Sequence, residues 1–348
     1  MGPQRVVVLL VAGLAVLAGA IWLASTRHLE RATLAGDLVL PGLEQGVNTV
    51  TEVDLNKADG ARTTLKKDGS AWTVAERGWP ADTPKVRKLL LDLGALTVVE
   101  EKTRLAANYP QLGVEDVSTP HASGTRIDAV SPNKSWGLII GKASSGKSGY
   151  VRVATAPQSV LAAPLLMVDA APAGWLERTL TDLGGERVRE IEEHPANGPE
   201  YTATRLKQGE PNFSVSPIPK GRSLTGPAVA EPIAAALSVL TLDEVRRADP
   251  GAATGASHAT FRTYDGLELA LSGRQDGDHY LIAARAQGSS PQGEAEAQKL
   301  NTRLGGFEFE IPQYRYEVIF KPLVELLTVA PEPGKKKAPA GKPNPLNR

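Results

Sequence analysis

Thr64 to Val74 reads TLKKDGSAWTV, and Arg205 to Val215 reads RLKQGEPNFSV. Leu65 falls against Leu206, Trp72 against Phe213 and Val74 against Val215 at one constant offset. In each stretch alternating apolar residues flank a turn dipeptide, Asp68-Gly69 or Gln208-Gly209, as a half-buried antiparallel hairpin requires. A hairpin that recurs within one chain predicts an internal duplication.

The segments after the hairpins agree with that expectation. Pro80 to Lys102 reads PADTPKVRKLLLDLGALTVVEEK, where Thr83 is expected to cap a helix and Pro84 to occupy its first position. Val86, Leu89, Leu90, Leu93 and Leu96 then share one face at helical spacing. In the second copy, SLTGPAVAEPIAAALSVLTLDEVRR, Pro232 bars a helix begun at Pro227, so the helix is expected to start at Pro232 and turn Ile233, Leu237 and Leu240 inward. Both helices end in Leu-Thr, at Leu96-Thr97 and Leu240-Thr241. Strand-like runs follow at Thr125 to Val130, Trp136 to Ile140 and Tyr150 to Thr155, and again at Ala259 to Tyr264, Leu267 to Leu271 and Tyr280 to Arg285. Each half is expected to close with a short helix, Trp175 to Leu183 and Val318 to Leu327, and a polar insertion from Gln287 to about Gly306 is peculiar to the second.

Val6 to Ala24, VVVLLVAGLAVLAGAIWLA, holds 19 residues without charge or proline. As a helix it crosses roughly the 30 Å of a bilayer's hydrocarbon core. The run exceeds a secretory signal's apolar stretch, and Trp22 near its end suits an interfacial anchor, so it reads as an uncleaved span, with cleavage near Ala18 to Ala24 as the alternative. Arg5 faces Arg27, His28 and Arg31 across the run, a nearly balanced count, and the short head favours an inside amino terminus. The expected fold is therefore α+β: an N-terminal transmembrane helix, then two related units of antiparallel hairpins packed by helices. Its expected divisions are a cytoplasmic head at 1–5, the helix at 6–24, a juxtamembrane linker at 25–46, the units at 47–186 and 187–330, and a basic, proline-rich disordered tail at 331–348. The expected location is the inner, cytoplasmic membrane, with the bulk of the chain periplasmic or otherwise extracytoplasmic.

Composition narrows the chemistry. Lys plus Arg and Asp plus Glu are each 39, so the net charge is zero and the field that draws proteins to nucleic acid is missing. The chain has no cysteine, which removes thiol catalysis, disulfides and cysteine zinc sites. Its five histidines, His28, His121, His194, His258 and His279, include no pair at helical zinc spacing.

Taken in order, the membrane run, the hairpin with Trp72, Pro80-Ala81-Asp82 before the helix, YPQLGV at Tyr109 to Val114, LIIG at Leu138 to Gly141 and Tyr150-Val151-Arg152 resemble the bacterial family of domain of unknown function 4340. The likeness spans about Val47 to Val188 and continues more loosely through the second half. It implies a single-span extracytoplasmic protein associated with ABC-type export systems of the gliding-motility kind, and hence a partner rather than a reaction.

Several stretches imitate catalytic motifs. Gly141 to Ser148, GKASSGKS, matches the phosphate-binding G-x-x-x-x-G-K-S, and Leu165 to Asp169, LLMVD, imitates a magnesium-binding strand end. That chemistry needs a helix after the lysine, whereas Gly149 to Val153 reads as a strand, and Gly273 to Tyr280 places two aspartates at the equivalent turn. Ser131-Pro132-Asn133-Lys134 and Ser144-Ser145-Gly146-Lys147 match S-x-x-K without the companion motifs of serine acyl-enzymes. Glu100, Glu101, Glu190, Glu192 and Glu193 read as solvated charge beside strands, His258 and His279 as a candidate pair across a sheet, and Trp72, Trp79 and Trp136 as core. No catalytic, cofactor-binding or metal residue is assigned. The expected function is a non-catalytic, membrane-anchored accessory or scaffold. Its expected partners are the bilayer and a membrane protein such as ABC transporter subunits, with anionic envelope polymer a candidate for Lys335 to Lys337 of the tail. The rival readings are an envelope hydrolase built from distant residues and a passive cell-wall polymer binder.

Overall fold

The computed structural model of the protein describes residues 36–249 and 256–329. The run from Val6 to Ala24 and the tail from Pro331 lie outside the described residues, and among those described no helix is long and apolar enough to cross a membrane. The chain divides into two units, Met1–Glu177 and Arg178–Arg348, both α+β and dominated by antiparallel sheet.

In the first unit, residues 36–46, expected as linker, already belong to the body. Gly36 N–H donates to Val98 O and Val39 N–H to Leu96 O, each at 2.8 Å, before the short helix α1, Leu43–Gly46. The strands are β1 Glu52–Lys57, β2 Arg62–Asp68, β3 Ala71–Val74, β4 Trp79–Pro80, β5 Thr97–Glu101, β6 Thr125–Ser131, β7 Lys134–Ser145, β8 Ser148–Val153 and β9 Ser159–Ala163. They form one nine-stranded sheet in the order β4-β3-β2-β1-β6-β7-β8-β9-β5. Alternation sorts the sides: Val53, Leu55, Leu65, Val74, Ile127 and Leu138 are all fully or almost fully buried. Helix α2, Thr83–Gly94, buries Val86, Leu89, Leu90 and Leu93. Its cap is Asp82 rather than Thr83, because the Asp82 carboxylate accepts the Lys85 N–H at 2.9 Å while the Thr83 hydroxyl turns back toward Ala81 O.

The second unit begins with β10, Thr179–Thr181, and continues with β11 Val188–His194, β12 Tyr201–Thr204, β13 Ser214–Ser216, β14 Arg222–Leu224, β15 Leu240–Thr241, β16 Glu244–Arg247, β17 Ser257–Thr263, β18 Leu267–Asp276, β19 His279–Gly288, β20 Phe307–Glu310 and β21 Leu327–Val329. Its eight-stranded sheet runs β13-β12-β11-β17-β18-β19-β20-β16. Strand for strand this is the order of the first sheet from β3 to β5. The registers agree as well: Ile191 faces Ala203 and Phe261 as Val53 faces Leu65 and Ala129.

Four local expectations are corrected. Val215 pairs with Ala203 as Val74 pairs with Leu65, so the residue matching Leu65 is Ala203, and Leu206 lies in a connecting loop, 80% exposed. A longer connection in the second hairpin absorbs the shift, since Arg205 to Phe213 all lie between β12 and β13. Tyr109–Leu112 of the first unit being α3, the helix expected from Pro232 is a single turn, α4, Glu231–Ala235; Leu237 and Leu240 are buried from the turn and β15 instead. Trp175 to Leu183 is no α-helix, because Glu177 N–H is spent on Pro80 O and Thr179 pairs with Thr241. The expected helix from Val318 to Leu327 is interrupted: α6, Gln313–Ile319, stops before Pro322, and a 3₁₀ turn covers Leu323–Leu326. The polar stretch after Gln287 is a helix, α5, Pro291–Leu304, capped by Ser290 Oγ on Gly293 N–H at 3.0 Å.

Val239 adopts φ 47° although it is β-branched, and it is 55% exposed. Its side chain thus carries left-handed strain without a packing return, while its N–H is held by Asp182 Oδ1 at 3.1 Å. Val239→Gly is expected to raise the unfolding free energy by about 1 kcal/mol, measured by urea titration of the full-length protein.

Candidate docking surface

The catalytic lookalikes resolve into structural elements. GKASSGKS is the β7 to β8 hairpin: Ser145 Oγ and Ser148 Oγ lie 2.9 Å apart across it, and strand rather than helix follows Lys147. Leu165 to Asp169 forms no strand. In SPNK the Ser131 hydroxyl closes a tight hairpin on the backbone N–H and C=O of Lys134, and the Lys134 ammonium donates to Pro41 O over the Trp136 ring. His258 pairs across the sheet with His194, not His279, whose Nδ1 meets Glu310 at 2.9 Å. Among the described residues no group of three or more His, Cys, Asp or Glu side chains could hold a metal ion.

The stretches that carried the family resemblance converge in the first unit. The turn Tyr109–Leu112 lies on the sheet so that Tyr109 and Val114 pack with Ile139, flanked by Leu112 and Tyr150. Arg152 is buried beneath it, donating from Nε to Val114 O at 2.9 Å with its guanidinium 4.7 Å from the centre of the Tyr109 ring. The Tyr109 hydroxyl donates to Pro157 O at 2.6 Å. Gly141 is required by this closeness, since a Cβ there would stand 2.3 Å from Leu112 O. YPQLGV, LIIG and YVR are one packing device that seals a sheet face.

Helix α2 presents a different surface. Lys85, Arg87, Lys88 and Leu91 point outward, Leu91 being 51% exposed. The segment Leu165 to Val168 runs alongside, burying Leu166 and leaving Met167 83% exposed. Lys85, Lys88, Leu89, Leu165 and Met167 line a shared cleft of about 300 Å³. Lys85 is held over the Trp175 ring, 4.8 Å from its centre, and Lys88 pairs with Asp92. An apolar surface edged by Lys85 and by the Lys88–Asp92 ion pair is thereby offered to solvent. Sequence reading passed over it because Leu91 and Met167 each sit inside apolar runs, where exposure is invisible until the helix is docked.

In the second unit the glutamates separate. Glu190 and Glu192 share Arg262, at 2.6 and 2.8 Å, and these hydrogen bonds hold Glu192 below the usual carboxylate range. Glu193, expected among the solvated charges, is instead fully buried, with neither carboxyl oxygen hydrogen-bonded. It faces Tyr201 on β12 and Ala259 on β17, and it takes the register position that Leu55 holds in the first sheet. Burial pushes its carboxyl up to about 9, so it is a neutral acid at pH 7. Burial also raises the Tyr201 phenol, whose hydroxyl donates to Lys321 O at 2.8 Å.

A family model described as domain of unknown function (DUF4340) matches residues 72–259, more than half of the chain. The chain belongs to this family. No curated protein and no solved structure matches it. The DUF4340 match starts at Trp72 in β3 and ends at Ala259 in β17, so it takes in helix α2, the Tyr109 turn, Arg152 and Glu193.

Two outcomes follow for this DUF4340 chain. Gly141→Ala should destabilise the first unit by about 1–3 kcal/mol in denaturant titration, because carbonyl oxygen and methyl cannot share the space. Glu193 holds a proton in the folded state that the unfolded chain releases near its ordinary value of 4.5, so stability falls as pH rises from about 4.5 to about 9 and levels off above. Glu193→Met should flatten that slope and raise stability by a few kcal/mol at pH 7, read as the denaturation midpoint across pH 5 to 9.

Proposed function

We propose that this DUF4340 protein is a single-pass membrane protein whose two α+β units, products of an internal duplication, serve outside the cytoplasm as a binding body for a membrane partner. The matching strand orders and registers of the two sheets support the duplication. The run from Val6 to Ala24 supports the tether, and Gly13 and Gly19 suit helix contacts within the bilayer.

The observation that carries the binding role is the strip on helix α2. Methionine and leucine side chains this exposed, bordered by Lys85 and Lys88, suit an interface with an apolar centre and a charged rim. The partner it fits presents apolar side chains edged by carboxylates. From the family resemblance, that partner is a subunit of an ABC-type export assembly of the gliding-motility kind. The chain is assigned no reaction.

The test is a photo-crosslinking residue at Met167 or Leu91 in the full-length protein in cells. The expected result is an adduct with a membrane protein subunit, reduced at least fivefold by Lys85→Glu with Lys88→Glu, and absent when the probe replaces Ser144. Well-expressed, membrane-associated protein that gives no protein adduct at either position would overturn the reading.

A further inference from the structure

The described residues include four tryptophans, and three have their indole N–H satisfied by a backbone carbonyl: Trp79 by Glu177 at 2.8 Å, Trp136 by Pro41 at 3.2 Å and Trp175 by Asp169 at 2.7 Å. Trp72 differs. It is only 5% exposed, yet its indole nitrogen has no hydrogen-bond partner among the described residues. The nitrogen itself is not sealed off but opens on the cleft that the ring lines, where it is free to donate to a bound acceptor.

Trp72 lines a cleft of about 380 Å³ between the tip of the β2 to β3 hairpin, the first turns of α2 and the 3₁₀ turn at Val47–Thr49. The polar side chains around it are Asn48, Lys67, Ser70, Thr83 and Arg87. Every one of them can donate a hydrogen bond, and no carboxylate is among the lining residues. Lys67 is steadied in place, its ammonium donating to Asn48 O at 3.0 Å. Arg87 makes no ion pair or hydrogen bond among the described residues, so its planar fork is available. Asp82, the carboxylate nearest along the helix, is occupied in capping α2. Val47 and Leu90 supply an apolar wall.

We infer that this cleft binds a small anionic ligand rich in oxygen acceptors, a sugar-sized molecule bearing a phosphate or carboxylate. Arg87 and Lys67 meet the oxyanion, and the Trp72 indole, Ser70, Thr83 and Asn48 meet neutral oxygens. The volume lies at the lower end of small-molecule sites, about 300–1,000 Å³, which limits the ligand to roughly one ring. The site is separate from the Leu91 and Met167 strip and does not depend on the role proposed for it.

The experiment uses full-length protein in detergent micelles with ¹⁵N-labelled tryptophan, the Trp72 indole signal being assigned through Trp72→Phe. Glucose 1-phosphate, glucuronate and neutral glucose are titrated separately. The expected result is a saturable movement of the Trp72 signal with one or both anions, at least tenfold weaker with glucose, while the signals of the other tryptophans stay in place. Movement with the phosphate alone or the uronate alone names the oxyanion. Arg87→Gln, at an exposed position where folding is not at stake, should weaken binding at least tenfold, and Arg87→Lys should restore part of it. A Trp72 signal that ignores both anions at tens of millimolar, that responds equally to glucose, or that is indifferent to Arg87→Gln would overturn the assignment.

Discussion

Each unit depends on the register of the strand at the middle of its sheet. β1 lies between β2 and β6 with Val53 facing Leu65 and Ala129, and Leu55 facing Thr63 and Ile127. Because successive side chains point to opposite faces, a slip of β1 by one residue would expose Val53 and Leu55 and bury Glu52 and Asp54. The same ladder in the second unit sets Ile191 between Ala203 and Phe261. One position in it breaks the rule. Glu193 points inward where Leu55 points inward, and the register that buries Ile191 leaves it no other direction. A carboxyl with no partner there is tolerated as the neutral acid, at the expense of stability that a hydrocarbon side chain would have kept.

The two sheets use their outer faces differently. In the first, Ile139 opposite Arg152 is sealed by the Tyr109 turn, and the buried guanidinium is matched by the Val114, Ala154 and Ala156 carbonyls. At the corresponding register in the second, Ser272 opposite Ala283 forms the floor of a shallow trough beside His258 and Arg285. Large side chains need a cover and small ones do not, so the first unit gains a tightly packed shell here, distinct from the helix α2. That helix separates two environments. One flank offers exposed Leu91 close to Lys88, and the other turns Arg87 and Leu90 toward the unmatched indole of Trp72.

Much of this was legible in the residues. The six strands expected between Thr125 and Arg285 are β6, β7, β8, β17, β18 and β19, because period-two alternation survives whatever the partner strand is. The face of α2 was equally plain from Val86, Leu89, Leu90 and Leu93. Elements whose backbone is claimed by distant residues were not. Trp175 to Leu183 has helical composition, but pairing with Pro80 and Thr241 takes its backbone groups, and Leu206 imitates Leu65 although a longer loop moves it out of register. Trp72 was read as core, which its burial bears out, yet the state of its indole N–H follows from which carbonyls the fold brings near.

Local pattern by itself therefore determined the α+β class, the strand positions, the amphipathic helix and the family to which the chain belongs, because these rest on periodicities and turn residues a few positions apart. Tertiary structure alone decided which of three neighbouring glutamates is buried, which tryptophan lacks an acceptor and which apolar residues of α2 and Leu165 to Val168 reach solvent. Those outcomes depend on cross-strand register and on contacts such as those of Glu193 with Tyr201 and Ala259. Glu193 and Ala259 share no short window of sequence, so the energetic consequences of their pairing exist only once the sheet is assembled.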